Sequence, residues 1–208
     1  MKTSGVARFD VLGVFVKAPV AGGVKTRLAA ELGLGRAAGL YRQLGRAVVS
    51  NCVLPTRHRT VVWFAPREKR AAVRSWLRGL AVDEFLAQEG AGLGARLTAA
   101  FDGHFQTGAG RVAMIGSDCP GVAADTVRRA FASLRRADAV IGPTLDGGYY
   151  LIALKRPAPG LFEDIAWSTP RVLDSTLSRA RRLGLRVTLL RRLRDVDTAQ
   201  DARALRLV

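Results

Sequence analysis

Four aspartates have the type and placement to do chemistry. Asp118 lies in "GSDCPG" (116–121), Asp146 in "TLDGGYYL" (144–151), and Asp195 and Asp197 in "RDVDTAQD" (194–201). Each stretch follows an apolar run that reads as a strand. Three strand ends therefore present carboxylates in a chain with 33 basic and only 17 acidic residues. Carboxylates that converge with open positions suit Mg2+ or Mn2+, with waters and a substrate phosphate completing the oxygen shell. The same residues have plainer uses. Asp118 and Asp197 could cap helices, and Asp146 could close a turn.

A cationic counterpart sits after the first strand. "KAPVAGGVKTRL" (17–28) places Lys17, Gly22, Gly23, Lys25 and Arg27 between a strand and a helix. Paired glycines let a backbone turn and expose N–H groups, and a helix N-terminus favours anions. The stretch reads as a phosphate cradle, although the GxxxxGK[ST] spacing of a P-loop is absent. The plainer alternative is a glycine-rich turn with solvated cations. A third stretch, "GAGLGA" (90–95), formally matches the dinucleotide fingerprint G-x-G-x-x-[GA]. That fingerprint belongs on the first strand of its unit, whereas this one follows a weak third strand. Gly90 is read as bordering a nucleotide pocket, and an NAD-binding oxidoreductase is kept as a minor alternative.

Other chemistries find little to work with. There is no GxSxG elbow and no HExxH, and His58 and His104 fall in no metal-ligand spacing. Cys119 precedes a helix, but no histidine is placed near it by sequence. It reads as a small buried filler rather than a nucleophile.

The elements that must position these residues alternate between strand and helix. Strands are expected at 11–18, 60–66, 82–88, 111–117, 138–143, 147–155 and 185–190. Helical patterns run over 25–52 (bent or broken within 31–39), 67–80, 93–106, 124–137, 168–184 and 197–205. Ser168 is the expected N-cap of the fifth, and Thr198 with Asp201 has capping-box spacing. The alternation predicts an α/β fold: three layers, with a mostly parallel central sheet and helices on both faces. With no repeat, linker or low-complexity segment, residues 1–208 read as one domain. In open sheets of this class ligands bind beyond the carboxyl ends of the strands, where the aspartates and the cationic loop fall.

Composition narrows the class. The net charge is +16, and only five of the basic residues are lysine. Such a charge fits acidic small molecules and raises nucleic acid as a partner. The arginines are spread over several helices with few aromatics between them, so nucleic acid is not the expected ligand. A non-catalytic nucleotide- or nucleic-acid-binding module remains an alternative. The two cysteines form no CxxC, which fits a reducing compartment. "VLGVFV" (11–16) is too short for a signal sequence or a membrane span. The expected location is the cytoplasm, and the sequence names no oligomeric state.

"FVKAPVAGGVKTRL", "GSDCPG", "GPTLDGGYYLIAL", "FEDIAWSTPRVLDSTLSRARRLG" and "DVDTAQD" together resemble a bacterial glycosyltransferase family, also called radical-SAM/selenodomain-associated transferases. The family lies in the nucleotide-diphospho-sugar transferase superfamily, with the glycosyltransferase-A fold. The resemblance runs from about Phe15 to about Asp201. It extends to nucleotidyltransferases that guanylylate phospholactate or the molybdenum cofactor. It implies that Asp118 binds a metal, with Asp195 or Asp197 as the second ligand. Lys25 and Arg27 would hold a triphosphate, and Asp146, Gly147 and Gly148 would line the acceptor pocket. Relatives often read "GDLG" where this chain has "AGLG", so Gly92 stands in place of an aspartate.

Two reactions follow from the resemblance. In nucleotidyl transfer, an anionic small-molecule acceptor attacks the α-phosphorus of a nucleoside triphosphate and pyrophosphate leaves. Lys25, Arg27 and the Gly22–Gly23 amides would then stabilise the departing charge, with Lys17 among the nucleotide-binding residues. In glycosyl transfer from a nucleotide sugar, an acceptor hydroxyl needs a base, for which Asp146 is the candidate. Lys25, Arg27, Asp118 and Asp146 are thus the expected catalytic residues.

Overall fold

The computed structural model describes residues 9–208. Asp10–Lys17 (β1) is a run of buried β-branched, aromatic and Leu residues, the pattern of a strand covered on both faces. Helices Thr26–Leu32 (α1) and Leu34–Cys52 (α2) follow, and the expected break falls at Gly33. Next come Arg59–Ala65 (β2), Arg70–Trp76 (α3), Glu84–Ala87 (β3), Leu93–Gln106 (α4), Arg111–Gly116 (β4) and Ala124–Ser133 (α5). Ala139–Pro143 (β5), Tyr149–Leu154 (β6), Val172–Arg182 (α6), Val187–Leu189 (β7) and Ala199–Ala204 (α7) complete the order.

The seven strands form one sheet in the order β3-β2-β1-β4-β6-β5-β7. Only β6 runs antiparallel to its neighbours. The connection from β5 to β6 is too short for a crossover, so the chain must turn straight back. Alternate side chains of each strand enter different cores. Leu12, Val14, Val62, Phe64, Ala113 and Ile115 pack with residues of α2, α3 and α5 on one face. Val11, Val61, Trp63, Val112 and Met114 pack with residues of α4 and α6 on the other. These are the expected three layers. A third cluster joins α1, α2 and α7 through Leu28, Leu40, Leu44, Val196 and Ala199.

One expected start is displaced. Ser168 does not cap α6: it has a left-handed φ of 63°, and the helix begins at Val172. The intervening residues form a turn in which the Thr169 hydroxyl donates to the Ala166 carbonyl (2.7 Å). The capping box is present as expected, with the Thr198 side chain and Asp201 satisfying each other's backbone N–H groups.

At the end of the sheet away from the aspartates, Asp138 ties β5, β6 and β7 together. It is 7% exposed and accepts from the backbone N and the Nε of Arg186 (3.0 Å each) and from Lys155 Nζ (2.9 Å). Arg186 first, then Lys155, holds its carboxyl well below the usual carboxylate range. A carboxyl depressed relative to the unfolded chain contributes stability above about pH 4, and that stability drains away as pH falls toward the folded-state value. Asp138→Asn is therefore expected to cost about 2–3 kcal/mol at pH 7, or about 5–10 °C in Tm. The gap between the two proteins should narrow as melts are taken from pH 5 down to pH 3. A gap that stays constant over that range would show the ionised carboxylate is not the stabilising form.

Candidate active site

The strand order reverses direction between β1 and β4, and a crevice opens at such a point beyond the strand ends. The loop after β1 carries Lys25, and the loop after β4 carries Asp118. Lys25 Nζ donates to Asp118 Oδ2 at 2.8 Å and lies 3.7 Å from Asp197 Oδ1. Arg27 Nη1 donates to Asp197 Oδ2 at 3.1 Å. Asp197 is brought in by the segment after β7, because the backbone N–H of Val196 donates to the carbonyl of Asp118 (3.0 Å). Strands β1, β4 and β7, far apart in sequence, thus deliver two cations and two carboxylates to one spot.

Burial and strain mark Lys25 as the centre. Its side chain is 6% exposed, whereas those of Asp118 and Asp197 are 44% and 39% exposed. Its backbone is left-handed, φ 50° and ψ 49°, directly before α1. A non-glycine residue in that region carries a conformational cost that its surroundings must offset. Here the two carboxylates receive the ammonium.

Asp118 is also held from the buried side. Lys17 N donates to the Tyr41 hydroxyl (2.9 Å), which lies 3.0 Å from Ser117 Oγ. Ser117 Oγ donates to Asp118 Oδ1 at 3.3 Å. Tyr41 and Ser117 are 4% and 2% exposed. Burial, then the charge of Asp118, pushes the Tyr41 phenol well above its ordinary range, so it stays protonated. Sequence reading passed over Tyr41, which looks like one more apolar position on the inward face of α2.

The other expected residues divide. Asp195 is half-buried. Its carboxyl is raised to about 6, by burial first and by the charge of Asp146 second, with Lys25 opposing. It therefore belongs to the same electrostatic neighbourhood. Among the described residues, however, no three acidic, histidine or cysteine side chains gather closely enough to hold a metal ion. Three carboxylates in one shell would repel, and here the Lys25 ammonium takes the position between Asp118 and Asp197. Lys17, Gly22 and Gly23 are exposed along the loop from β1 to α1.

Asp146 closes its own turn. Its Oδ1 accepts from Thr144 Oγ1 (2.5 Å) and from Gly148 N (3.0 Å). Gly147 follows with φ 89°, and a Cβ there would stand 2.1 Å from the Pro170 carbonyl oxygen. The Gly147 carbonyl accepts from Leu173 N (2.9 Å), seating the start of α6 on this loop. Gly90 is held by Arg96, whose Nε donates to its carbonyl at 3.1 Å. Gln88 anchors the same loop by donating to the carbonyls of Val16 (3.1 Å) and Trp63 (3.0 Å), a role with no sequence signal. The Gly90–Ala95 stretch follows β3, an edge strand, rather than the first strand of a unit, where a dinucleotide fingerprint belongs. Gly92 has φ 102°, with open space where a side chain would project.

The remaining candidates are structural. Cys119 is 1% exposed, and burial pushes its thiol up to about 12. His104 accepts from Trp63 Nε1 (3.1 Å) and is lowered to about 4, chiefly by burial. His58 is buried against the Cys52 carbonyl (3.1 Å). Among the described residues, no helix is long and apolar enough to cross a membrane.

The fold with its crevice between β1 and β4 is that of the nucleotide-diphospho-sugar transferases. A candidate nucleotide-diphospho-sugar transferase from Desulfovibrio desulfuricans G20 superposes with a TM-score of 0.88 at 34% identity, over 94% of this chain and 85% of that one. The chain belongs to the family of uncharacterized proteins conserved in bacteria, DUF2064, whose model matches residues 48–169. More distant structures share the fold. The inositol-1-phosphate CTP transferase of T. maritima gives a TM-score of 0.57 at 12% identity, over 98% and 96% of the two chains. Glucosyl-3-phosphoglycerate synthase of Mycobacterium tuberculosis, seen with Mn2+, UDP and its product, gives 0.58 at 12%, over 95% and 75%. No curated protein sequence matches the chain.

Proposed function

We propose that the protein is a metal-dependent transferase acting on a nucleotide-activated substrate, and that it transfers a nucleotidyl group from a nucleoside triphosphate to an anionic small molecule. The observation that carries this reading is the meeting of Lys25, Arg27, Asp118 and Asp197 in the crevice. Two carboxylates that converge on one cationic point form a hard-oxygen donor pair. Mg2+ and Mn2+ sites on phosphate substrates commonly use one or two such carboxylates and take the rest of the shell from phosphate and water. Asp118 and Asp197 fit that set, with Asp195 as a nearby supporting charge. Bound there, the cation would neutralise phosphate charge and orient in-line attack.

The chain's own residues have separate tasks. Lys25 and Arg27, with the amides of Gly22 and Gly23, stabilise the charge growing on the departing pyrophosphate. Lys17 and the Gly90 loop flank the nucleotide. Gly147 and Gly148 shape the acceptor side of the crevice. Asp146 spends Oδ1 on its turn, which weighs against it as the base that a hydroxyl acceptor would need. An anionic acceptor needs no such base, and this favours nucleotidyl transfer. Glycosyl transfer from a nucleotide sugar is the second reading, supported by the description of the Desulfovibrio relative. The protein is proposed to act as one domain in the cytoplasm.

Thermal melts with Mg2+ or Mn2+ across nucleoside triphosphates and nucleotide sugars test the proposal, since a ligand that binds only the folded state raises Tm. One triphosphate should stabilise the native protein strongly, and Asp118→Asn should lose the metal-dependent part of that shift. Stabilisation by a nucleotide sugar alone would select glycosyl transfer. No stabilisation by either, or an unchanged response in Asp118→Asn, would overturn the assignment.

A further inference from the structure

We infer that Tyr41 is a positioning residue for the metal-binding aspartate, acting through Ser117 and coupling Asp118 to the first residue of the phosphate loop; this rests on the function proposed above. Donor counting fixes the direction of each bond along this chain. Lys17 N has a single proton and gives it to the Tyr41 oxygen (2.9 Å). Ser117 has a single hydroxyl proton and gives it to Asp118 Oδ1 (3.3 Å). The Tyr41–Ser117 contact (3.0 Å) then has only one polarity, with the phenol donating to the serine oxygen. Three donors therefore point the same way along a chain that ends on the carboxylate. Because Tyr41 and Ser117 are 4% and 2% exposed, water does not compete for these bonds.

The chain fixes which oxygen of Asp118 does what. Oδ1 is held from the buried side, and Oδ2 is left to face the crevice, where Lys25 now meets it. Tyr41 is itself locked. Its ring packs against Trp76 at 5.9 Å between centroids, and the Trp76 indole N–H donates to the Arg42 carbonyl (3.0 Å). A rigid phenol on α2 thus sets the orientation of a carboxylate 77 positions further along the chain. It also ties the position of Lys17, where the phosphate loop leaves β1, to that orientation. Removing outer partners of a ligating side chain commonly weakens metal affinity 10- to 100-fold.

Mn2+ titration followed by the electron paramagnetic resonance signal of the free ion tests this with the full-length chain. The proteins are native, Asp118→Asn, Tyr41→Phe, Ser117→Ala, Ser117→Thr and the Tyr41→Phe/Ser117→Ala double variant. Tyr41→Phe and Ser117→Ala are each expected to weaken Mn2+ binding about tenfold. The double variant should be hardly weaker than either single one, because the two hydroxyls act in series. Ser117→Thr, which keeps a hydroxyl, should restore most of the affinity. Native-like affinity in both single variants would overturn the inference even if Tm falls, as would losses that multiply in the double variant. If the native protein binds no Mn2+, or binds it equally well in Asp118→Asn, the metal assignment falls and the inference with it.

Discussion

Lys25→Met is expected to bind free Mn2+ about tenfold more tightly than the native protein while losing about 100-fold in triphosphate affinity. The two effects have opposite signs and one cause. In the structure the Lys25 ammonium occupies the point on which Asp118 and Asp197 converge, so a divalent cation must displace it. Methionine keeps the length of the stem and removes the charge, which leaves the carboxylate pair to the metal. The same change removes a cation from the loop proposed to hold phosphate, and losing one partner of a buried, hydrogen-bonded charge pair commonly costs about 2–5 kcal/mol in binding, roughly 30-fold and upward. The folded state should survive. Asp118 and Asp197 are 44% and 39% exposed and can be hydrated once the lysine is gone. In the native protein, metal and nucleotide should then bind together, because phosphate draws Lys25 away and frees the carboxylates. Free-ion titration gives the first number, and Tm shifts with triphosphate the second. Unchanged or weaker Mn2+ binding in Lys25→Met would show that the ammonium does not compete with metal.

Gly147→Ala is expected to destabilise the protein by about 3–4 kcal/mol, a fall of about 10 °C in Tm. Two costs add. The backbone has φ 89°, a region that residues with a Cβ rarely adopt, and the added methyl would lie 2.1 Å from the Pro170 carbonyl oxygen. That neighbour is main chain and cannot step aside by a rotamer change. It is also tied in place through the bond from Leu173 N to the Gly147 carbonyl. Relief requires the 144–148 loop to part from the start of α6, which would open the side of the crevice proposed above to take the acceptor. Thermal melts read the first effect. The acceptor KM, once an acceptor is in hand, reads the second and should rise at least about tenfold. A native Tm in Gly147→Ala would mean that the loop and the 165–171 segment adjust to each other freely.

Much of this was legible in the sequence because local rules and tertiary packing agree. Periodicity placed α4 at 93–106, the glycine-rich 31–39 stretch marked the break at Gly33, and Thr198 and Asp201 spelled out their capping box. The strand ends pointed to Lys25, Arg27, Asp118 and Asp197, which the structure brings together beyond them. What could not be read were contacts made between distant segments. Tyr41 has the spacing of a core residue and shows its role only beside Ser117. The carboxylates and the cationic loop were each legible, but nothing local told that Lys25 would turn inward between Asp118 and Asp197. Ser168 had the identity of an N-cap, yet the turn at 165–171 claims it, because that segment must follow the loop holding Gly147.

The ends of the sheet have a consequence for life in a crowded solution. An open sheet exposes unpaired N–H and C=O groups along its outer strands, and long, flat outer strands template aggregation. Here one border is β7, three residues long, with Arg186 before it and Arg191 and Arg192 just after. The other is β3, four residues long and opening on Glu84. Neither offers a second molecule more than a short, charge-flanked stretch to pair with. Part of the arginine excess therefore serves colloidal solubility rather than ligand binding.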